Sequence, residues 1–473
     1  MTYPLHKVRT MRLLIPAVIS LTLTCASARK PNVIIFFTDD QGTLDAGCYG
    51  SRDLITPNID KLAETGVRFT QAYAHTVCCP ARAALLTGRH PQRSGVNRWT
   101  QGDMNRPKGI NMALEEVTIA ESLKQNGYRT ALFGKWHLGA HRDFGPKKQG
   151  FDEFFGIRDG FIDNYNHYFL HGEGFHDLYE GTSPVKADGQ YFPELMTSRS
   201  LAFIEENRER PFFLYVPFNI PHYPEQAPKK FAAPFKDMKD PARKSYATIM
   251  HATDHYIGKI LSKLESLNLR QKSIIIFMSD NGHSEETGNR IRADNHKSGH
   301  PKGHFYGASG GGYTGKWKGN KGNFFEGGIR VPAIISYPGI LPAGESRNQA
   351  ITVMDWFPTI LELCSIRDNP DNPKLDGFSL SKIIASKEMK TPNQVMHWGW
   401  FSNWAVRIGE WKLISRGTWD WNPGDPLPKS TQLVNLNDPA PERKNHAATM
   451  APVLLRLKKA HDQWAQQVGF GGK

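Results

Sequence analysis

The sequence predicts an α/β protein: a large mixed, mostly parallel sheet sandwiched by helices, followed by a smaller C-terminal α+β subdomain with a short antiparallel sheet. Three observations support this fold class. Short continuous apolar runs such as NVIIFFTDD are typical of strands buried on both faces. These runs alternate with segments of helical pattern, as in parallel sheets covered by helices. A stretch rich in Pro, Asp and Asn at residues 366–377 then indicates a linker.

The elements of the first predicted domain, residues 29–365, alternate in a regular order. Its first helix has Thr56 as a candidate N-cap, Pro57 in the first turn and Gly66 as its stop. The segments that predict strands are NVIIFFTDD, VRFTQAYA, YRTALFGKW, RPFFLYVPFNIP, KSIIIFMSDNG and VPAIISYPG. The segments that predict helices are TPNIDKLAETG, ARAALLTG, TIAESLKQNG, YATIMHATDHYIGKILSKLESLN and MDWFPTILELC.

The second predicted unit, residues 366–473, contains fewer and shorter elements. AVRIGEWKLIS and TQLVNLNDP are predicted as strands of the small antiparallel sheet, and APVLLRLKKAHDQWAQQV is predicted as a closing helix. In the tryptophan-rich segment HWGWFSNWAVRIGEWKLI, apolar residues alternate at strand spacing, which favours packing over sugar stacking.

The first 28 residues are predicted to be a signal peptide and not part of the fold. Lys7 and Arg9 supply a positive start, residues 13–23 form an apolar run, and Ala-Ser-Ala ending at Ala28 is a small-x-small cleavage site. The apolar run is shorter than the ~20 residues of a bilayer-spanning helix. Cys25 leaves a lipid anchor as an alternative. We expect an exported protein, periplasmic or secreted, and bacterial because the chain has no Asn-x-Ser/Thr sequon.

Charge and cysteine content exclude several classes of function. The formal net charge is +13, and about +10 remains after cleavage because the leader carries three cations and no acids. A basic chain permits attraction to anionic substrates, and generic surface charge is the equally compatible alternative. No zinc-finger, RNP or helix-turn-helix pattern indicates nucleic-acid binding. The four cysteines that remain are too few and too scattered for a disulfide framework. These are Cys48, Cys78, Cys79 and Cys364.

Two predicted strands end in oxygen-rich pairs, Asp39-Asp40 and Asp280-Asn281. In open α/β sheets the ligand crevice lies outside the carboxyl ends of the strands, so these side chains are expected to converge there. Adjacent carboxylates repel each other and need a cation, and carboxylate and amide oxygens suit Ca²⁺ or Mg²⁺ better than zinc. The alternative is that both pairs are simple strand-ending turns.

Two adjacent cysteines, Cys78 and Cys79, precede a predicted helix. A helix N-terminus stabilises anions and thiolates, Pro80 suits the first helical turn, and Arg82 can turn back toward the same point. This arrangement would hold an oxyanion. A buried structural pair is the alternative; a disulfide between neighbours is strained, and no base for a thiol nucleophile is adjacent.

The stretch CCPARAALLTGR resembles the signature of the type I, formylglycine-dependent sulfatases of the alkaline phosphatase-like superfamily. Further blocks resemble that family in the same order and cover about residues 30–360. They are PNVIIFFTDDQG, TPNIDKLAETGVRFTQAY, GYRTALFGKWHLG, GFDEFFG, PFFLYVPFNIPH, SDNG and GNKGNFFEGGIRVP. The resemblance implies an alkaline phosphatase-like fold and makes residues 29–365 the catalytic domain.

The resemblance implies that Cys78 is oxidised to Cα-formylglycine by a maturation enzyme. Cys79 fills the variable position of the motif, and Ala81 replaces the commoner serine. One hydroxyl of the aldehyde hydrate would attack sulfur, and the second would then expel sulfate and restore the aldehyde. An ordinary serine would remain trapped as a sulfate ester.

The resemblance also implies roles for other residues. Asp39, Asp40, Asp280 and Asn281 would bind one calcium ion, and Arg82 would offset charge beside the formylglycine. Lys135 and His137 share one face of an extended segment and would bind sulfate and orient the nucleophile. His222 and Lys321 would supply the other sulfate contacts, with His222 favoured as the acid that protonates the leaving alcohol.

Residues that select the substrate are less clearly indicated. Asn97, Arg98 and Trp99 follow the cysteine helix and could contact a sugar, although an ordinary surface loop is equally compatible. His283 lies beside the predicted metal site. The loop before Lys321 is basic and could guide a polyanionic glycan or serve as a solvated lid. Its basic residues are Arg290, Arg292, His296, Lys297, His300, Lys302 and His304.

We therefore expect an exported, calcium-dependent sulfatase that acts on sulfated carbohydrates, such as marine polysaccharides or glycosaminoglycan fragments. An exo-acting pocket is favoured over an endo-acting cleft. The alternatives are a phosphonate or phosphate ester hydrolase of the same superfamily and a catalytically silent sugar-binding relative. A catalytically silent protein would be expected to lack Cys78, Arg82 or a metal ligand, and all of these residues are present.

Overall fold

The structure of the protein is a computed structural model that describes residues 1–2, 29–100, 109–286, 290–305, 307–415 and 431–471. The predicted cleavage region and the possible anchor residue Cys25 lie outside these residues. None of the helices within the described ranges combines the length and apolar character that crossing a membrane requires.

The predicted fold class is confirmed: one large mixed sheet carries most of the chain, and a second, small sheet follows it. The large sheet contains β1 (Asn32–Asp39), β2 (Val67–Tyr73), β3 (Arg129–Lys135), β4 (Glu153–Ile157), β5 (Tyr179–Glu180), β6 (Ser183–Pro184), β7 (Phe212–Pro221), β8 (Ser273–Ser279), β9 (Arg330–Ser336), β10 (Glu345–Arg347) and β11 (Ile351–Thr352). The helices are α1 (Pro57–Glu64), α2 (Cys78–Thr87), α3 (Ile119–Gln125), α4 (Phe192–Glu206), α5 (Pro241–Ser266), α6 (Glu326–Ile329), α7 (Trp356–Leu363), α8 (Ser381–Ala385) and α9 (Ala451–Val468).

The strand order in the large sheet is β10-β2-β9-β8-β1-β7-β3-β4-β5-β6, and β11 pairs with β2. The central strands β8, β1, β7, β3 and β4 run parallel, whereas β9 runs antiparallel to both of its neighbours. In register, Thr38 at the end of β1 lies opposite Ser279 at the end of β8. The carboxyl ends of the central strands therefore meet at one edge of the sheet.

Helices cover both faces of the large sheet, and β1 shows why its sequence is continuously apolar. Val33, Ile35 and Phe37 point into one core with α2, α3 and α7. Ile34 and Phe36 point into a second core with α4 and α5. Because both faces are covered, every residue of β1 is buried.

The small sheet is antiparallel, with the order β12 (Val395–Trp400), β13 (Asn403–Ile408), β14 (Trp411–Ser415) and β15 (Gln432–Asn435). Helix α9 packs on one face through Leu457, which joins a cluster with Val406 and Leu413. The tryptophans of β12 instead pack into a cluster with residues of the first domain, such as Tyr73 at the end of β2. The prediction that the tryptophan-rich segment serves packing agrees with these contacts.

Candidate active site

Four connections that leave the central strands bring their polar residues to one place. Asp39 ends β1 and Asp40 follows it, Lys135 ends β3, and Asp280 follows β8. His222 follows β7, whose residue Pro221 lies opposite Asp39. All of these side chains are buried. The local strand patterns therefore explain why residues that are distant in sequence share one site.

The predicted metal ligands Asp39, Asp40, Asp280 and Asn281 form what we term the oxygen cradle. The Asn281 Nδ2 amide donates to Asp40 Oδ1 at 2.6 Å, and the Asp40 backbone N–H donates to Asp280 Oδ1 at 3.2 Å. The Asn281 Oδ1 atom is buried and has no hydrogen-bond partner among the described residues. Asp40 also adopts a left-handed backbone with φ of 62°, a conformation that a non-glycine residue rarely adopts.

The electrostatics of the oxygen cradle favour a bound cation. Burial, together with the charge of Asp39, raises the pKa of Asp280 to about 7. Burial also raises the pKa of Asp40 to about 7, although the Lys321 ammonium opposes this shift. Burial acts to raise the pKa of Asp39 too, but Lys135 and other cations hold it well below its usual range. Crowded carboxylates with an unpaired amide oxygen fit a hard divalent cation.

Cys78 is the first residue of α2 and faces the oxygen cradle. Its Sγ thiol donates to Asp39 Oδ1 at 3.3 Å, and the side chain is buried. Burial and the charge of Asp39 raise the pKa of the Cys78 thiol well above its usual value. A protonated thiol is a poor nucleophile, so the unmodified cysteine is unsuited to thiolate catalysis.

Cys79 points away from the oxygen cradle, and its Sγ accepts a hydrogen bond from the Thr100 backbone N–H at 3.3 Å. Both cysteines are free thiols. The two neighbouring cysteines therefore differ: Cys79 is a packed core residue, whereas Cys78 belongs to the candidate active site.

Arg82 and Lys135 surround Asp39 and Asp280 with positive charge. The Arg82 Nη2 atom lies 2.7 Å from Asp280 Oδ2, and Lys135 Nζ lies 2.5 Å from Asp39 Oδ2. Burial acts to lower the pKa of Lys135, but the Asp39 carboxylate raises it overall, so the ammonium stays charged. The two predicted cations thus lie beside the Cys78 side chain.

His137 lies near these cations with an unusual backbone conformation, φ of 53°. Its Nε2 atom is 3.8 Å from Asp159 Oδ1, and its Nδ1 atom has no hydrogen-bond partner among the described residues. Burial, with Lys135 and Arg82 adding repulsion, lowers the pKa of His137 well below its usual value. The imidazole is therefore neutral and can orient a nucleophile through a hydrogen bond.

His222 and Lys321 both lie next to Asp40 of the oxygen cradle. Lys321 Nζ is 3.1 Å from Asp40 Oδ2, and His222 Nε2 is 3.5 Å from the same atom. The His222 Nδ1 atom contacts the Tyr223 carbonyl at 2.6 Å, so Nδ1 carries a proton and Nε2 faces the site. Burial and the Lys321 charge lower the pKa of His222 to about 3.

Sequence reasoning missed Glu286, which joins this side of the site. Its Oε2 atom lies 2.8 Å from Lys321 Nζ and 3.5 Å from His222 Nε2. Burial acts to raise the pKa of Glu286, but Lys321 and His222 lower it overall. No local pattern distinguishes Glu286 from its neighbour Glu285, because the contact depends on how the loop folds back.

The predicted substrate residues Asn97, Arg98 and Trp99 lie against the turn between β12 and β13. The Asn97 amide donates to the Phe401 carbonyl at 3.3 Å, the Arg98 guanidinium lies over the Phe401 ring, and Trp99 packs edge-on to Trp400. Their contact with a substrate stays a prediction. His283 lies closer to the site, because its carbonyl accepts from the Lys321 backbone N–H at 2.8 Å.

The basic loop makes several contacts of its own. Arg290 lies over the Phe305 ring, and the His300 and His304 rings stack with centroids 4.0 Å apart. Lys302 pairs with Asp294 at 3.1 Å. Arg292 and Lys297 are exposed, and His296 is buried against the Phe169 carbonyl. The role of the basic loop in guiding a glycan stays a prediction.

Comparison with known proteins identifies the family. The Sulfatase family model matches residues 31–366. Arylsulfatase J of Mus musculus is 30% identical over 428 residues, covering 84% of this chain and 67% of the relative. N-acetylgalactosamine-6-sulfatase of Rattus norvegicus is 31% identical over 433 residues, covering 88% of this chain and 76% of the relative.

A solved structure agrees with these relatives. Ps i-CgsB, crystallised in complex with k-i-k-neocarrahexaose, superimposes with a TM-score of 0.77 and 28% sequence identity, covering 92% of this chain and 93% of that one. The phosphonate monoester hydrolase of Agrobacterium radiobacter shares the fold, with a TM-score of 0.61 and 18% identity. The chain accordingly belongs to the sulfatase family and is an enzyme that hydrolyses sulfate esters.

Proposed function

We propose that the enzyme removes sulfate from a sulfated carbohydrate, using a formylglycine made from Cys78 and one calcium ion held by the oxygen cradle. The observation that carries the proposal is the position of Cys78: it begins a helix, and its Sγ atom lies 3.3 Å from Asp39 Oδ1 of the oxygen cradle. Burial raises the pKa of this thiol, which supports its conversion to another nucleophile.

The donor set of the oxygen cradle supports calcium. Three carboxylates and one amide oxygen are hard ligands, and the buried Asn281 Oδ1 atom lacks a partner among the described residues. Asp39, Asp40, Asp280 and Asn281 would hold the ion, which when bound supplies a Lewis acid for the sulfate oxygens.

The cations of the site would bind the sulfate group. Lys135 pairs with Asp39 and Lys321 pairs with Asp40, so the two adjacent carboxylates bring both ammonium groups to the site where the anion would bind. Arg82 holds Asp280 and stays charged beside residue 78. Water-excluded charges of this kind stabilise the negative charge that develops in the transition state.

His222 is the candidate acid for the leaving alcohol. Its Nδ1 proton is fixed by the Tyr223 carbonyl, so only Nε2 can exchange a proton with a substrate. In the free protein burial and Lys321 keep the ring neutral. A bound sulfate would add negative charge beside the ring and raise the pKa of His222 toward a value at which it carries the proton.

A carbohydrate substrate is supported by the comparisons and by charge. One relative is named for N-acetylgalactosamine-6-sulfate, and one structural neighbour binds k-i-k-neocarrahexaose. The net charge of +13 would attract polyanionic glycans. Export through the predicted signal peptide, and conversion of Cys78 by a maturation enzyme that supplies the oxidant, complete the proposal.

The first experiment tests the modification. The chain is produced with a sulfatase-maturing enzyme, alkylated with iodoacetamide and digested with trypsin, which releases residues 69–82. Conversion removes ~18 Da and leaves a single alkylated thiol, Cys79. Cys78→Ala should remove the signal, whereas Cys79→Ala should keep the mass loss. A converted protein in which the aldehyde maps to Cys79 contradicts the assignment.

The second experiment tests the reaction. The converted, calcium-loaded enzyme is assayed for sulfate release on a panel of defined sulfated mono- and oligosaccharides, and in parallel on an aryl sulfate and an aryl phosphodiester. We expect sulfate release that disappears in Cys78→Ala. Faster cleavage of the phosphodiester would favour the phosphonate or phosphate ester hydrolase instead, and binding of sulfated sugars without turnover would favour a silent relative.

A further inference from the structure

Three side chains outside the active site converge near the segment between β4 and α4. They are His167, His176 and Asp188, and one possible ligand atom from each lies within 4.8 Å of the other two. None of them contacts the oxygen cradle in the described part of the chain. Two imidazoles and one carboxylate at such separations are a donor set that metal sites use.

His167 has the environment of a metal ligand. The side chain is fully buried, and its Nε2 atom donates to the Gln190 carbonyl at 3.1 Å. That hydrogen bond places the ring proton on Nε2 and leaves the Nδ1 lone pair free. Within the described residues Nδ1 has no hydrogen-bond partner. Metal-binding histidines have this arrangement, with one nitrogen on the metal and the other on a carbonyl.

Like His167, His176 has ring nitrogens whose hydrogen-bonding capacity is unsatisfied. Both of its ring nitrogens are buried without a hydrogen-bond partner among the residues described. Its ring lies edge-on to that of His167, with centroids 6.1 Å apart. Burial lowers the pKa of His176 to about 4, and nearby Lys186 adds to this shift, so the ring is neutral at neutral pH. Neutral imidazoles are the form that binds metals.

We propose that His167, His176 and Asp188 form a second metal site that binds a zinc-type cation. Two imidazole nitrogens and one carboxylate suit Zn²⁺ and its transition-metal neighbours, whereas calcium prefers oxygen ligands alone. Asp188 is exposed, so the ion can enter from solvent and complete its coordination with water. The carboxylate offsets part of the ion's charge, which Lys186 nearby would otherwise oppose.

The proposed metal would have a structural role, because its ligands lie on the segment between β4 and α4, and this segment contacts the active site. Between β4 and the proposed ligands, Phe161 stacks on the His222 ring with centroids 5.2 Å apart. Asn164 accepts a hydrogen bond from Asn219 of β7 at 2.7 Å. A metal at the proposed site would fix this segment against the end of β7 and so help to position His222.

The test is zinc binding by the full chain in saturating calcium, on a Cys78→Ala background so that the thiol does not compete. Isothermal titration should show one zinc per chain, and Co²⁺ should give the visible absorption of a nitrogen- and oxygen-ligated ion. We expect Asp188→Asn and His176→Gln each to weaken zinc binding about tenfold or more. Zinc should also raise Tm in the parent and not in these variants.

The matched control removes a second close histidine pair, with His300→Gln and His304→Gln combined. Their rings stack with centroids 4.0 Å apart, so the pair tests for zinc binding by histidines elsewhere in the protein. The proposal predicts unchanged zinc affinity in this control. It is overturned if no zinc binds, if binding survives both Asp188→Asn and His176→Gln, or if the control loses it. Equal Tm values without zinc show that the variants are folded.

Discussion

Two buried groups of charged residues in this protein differ in how closely cations of the protein pair with their carboxylates. The oxygen cradle at the end of β1 and β8 crowds three carboxylates together and leaves the Asn281 Oδ1 atom without a partner among the described residues. The second group, which we term the subdomain cluster, consists of Glu326, Glu442 and Lys412. It joins β14 of the small sheet to α6 beside the large sheet.

The subdomain cluster pairs its charges closely. Lys412 Nζ lies 2.8 Å from Glu326 Oε1 and 2.5 Å from Glu442 Oε1. The other Glu326 oxygen accepts from the Tyr73 hydroxyl and from Arg330. Burial acts to raise the pKa of Glu326, yet Lys412 and Arg330 lower it to about 2. This carboxylate is therefore ionised, with both of its oxygens bonded to protein groups.

Buried carboxylates thus serve ligand binding in the oxygen cradle and stability in the subdomain cluster. In the subdomain cluster the protein supplies partners for both Glu326 oxygens, and this carboxylate is ionised. Burial raises the pKa of the second carboxyl, Glu442, to about 7, although Lys412 opposes this shift. In the oxygen cradle, burial raises the pKa of Asp40 and Asp280, which shows that the protein's own cations do not fully stabilise these charges. A site that is incomplete in this way gains stability when a ligand binds.

The largest effect is expected for Asp40→Asn, which tests the incomplete group. Sulfate release should fall by about 10³-fold or more, since a charged ligand of the proposed calcium ion is lost. The Tm without calcium should stay equal or rise, because the substitution removes a buried carboxylate of raised pKa. Calcium should then give a smaller increase in Tm. Scanning calorimetry with and without calcium measures this, and a large loss of calcium-free stability would contradict the comparison.

The subdomain cluster should respond in the opposite way. Lys412→Met leaves two buried carboxylates without their shared ammonium, so the free energy of unfolding should fall by about 3–5 kcal/mol. The control is Lys458→Met on α9, because Lys458 pairs with Asp462 on the surface and an exposed pair contributes about 0–1 kcal/mol. Chemical denaturation measures both variants. Equal losses would show that the subdomain cluster does not stabilise the fold.

A third prediction separates proton transfer from binding within the site. His222→Gln should lower kcat by about 10²–10⁴-fold on alkyl sulfates, whose leaving alcohols need a proton. On an aryl sulfate with an acidic phenol the loss should be much smaller, because that leaving group departs as an anion. An equal loss on both substrates would assign His222 to sulfate binding alone. Calcium-dependent Tm measurements check that the oxygen cradle is intact.

The sequence predicted the parts of the site that depend on local patterns. An apolar run followed by Asp-Asp or Asp-Asn fixes a strand and its polar end, and parallel neighbours then bring Asp39 and Asp280 together. The helix α2 also follows from a local pattern, although it begins at Cys78, three residues before the predicted start at Ala81. These positions need no knowledge of distant contacts.

The parts that could not be predicted depend on contacts between distant segments. Lys412 reaches Glu326 across 86 positions, and Asn97 contacts Phe401 across 304. Glu286 enters the site through a loop without regular structure. In each case the partner is chosen by the packing of whole elements, so the residue itself carries no signal in the sequence.

The smallest effect on stability is expected for Glu225. This residue extends the comparison, because it is a buried carboxyl without any cation in contact among the described residues. Burial raises its pKa to about 8, above the 4.5 of an unperturbed glutamate. The folded state therefore binds the proton more tightly than the unfolded state. Glu225 contributes most to stability below pH 4.5, and this contribution is lost as the pH rises toward 8, by at most about 1.4 kcal/mol per pH unit.

Glu225→Gln keeps the shape of the protonated side chain and removes the titration. In calcium, the Tm of the parent should fall between pH 5 and pH 8 more steeply than the Tm of the variant, with the two values close at pH 5 and the variant higher at pH 8. Because the oxygen cradle is loaded in both proteins, its own titration cancels in the difference. Parallel Tm curves would show that Glu225 is ionised in the folded protein, and that burial without a cation does not hold its proton.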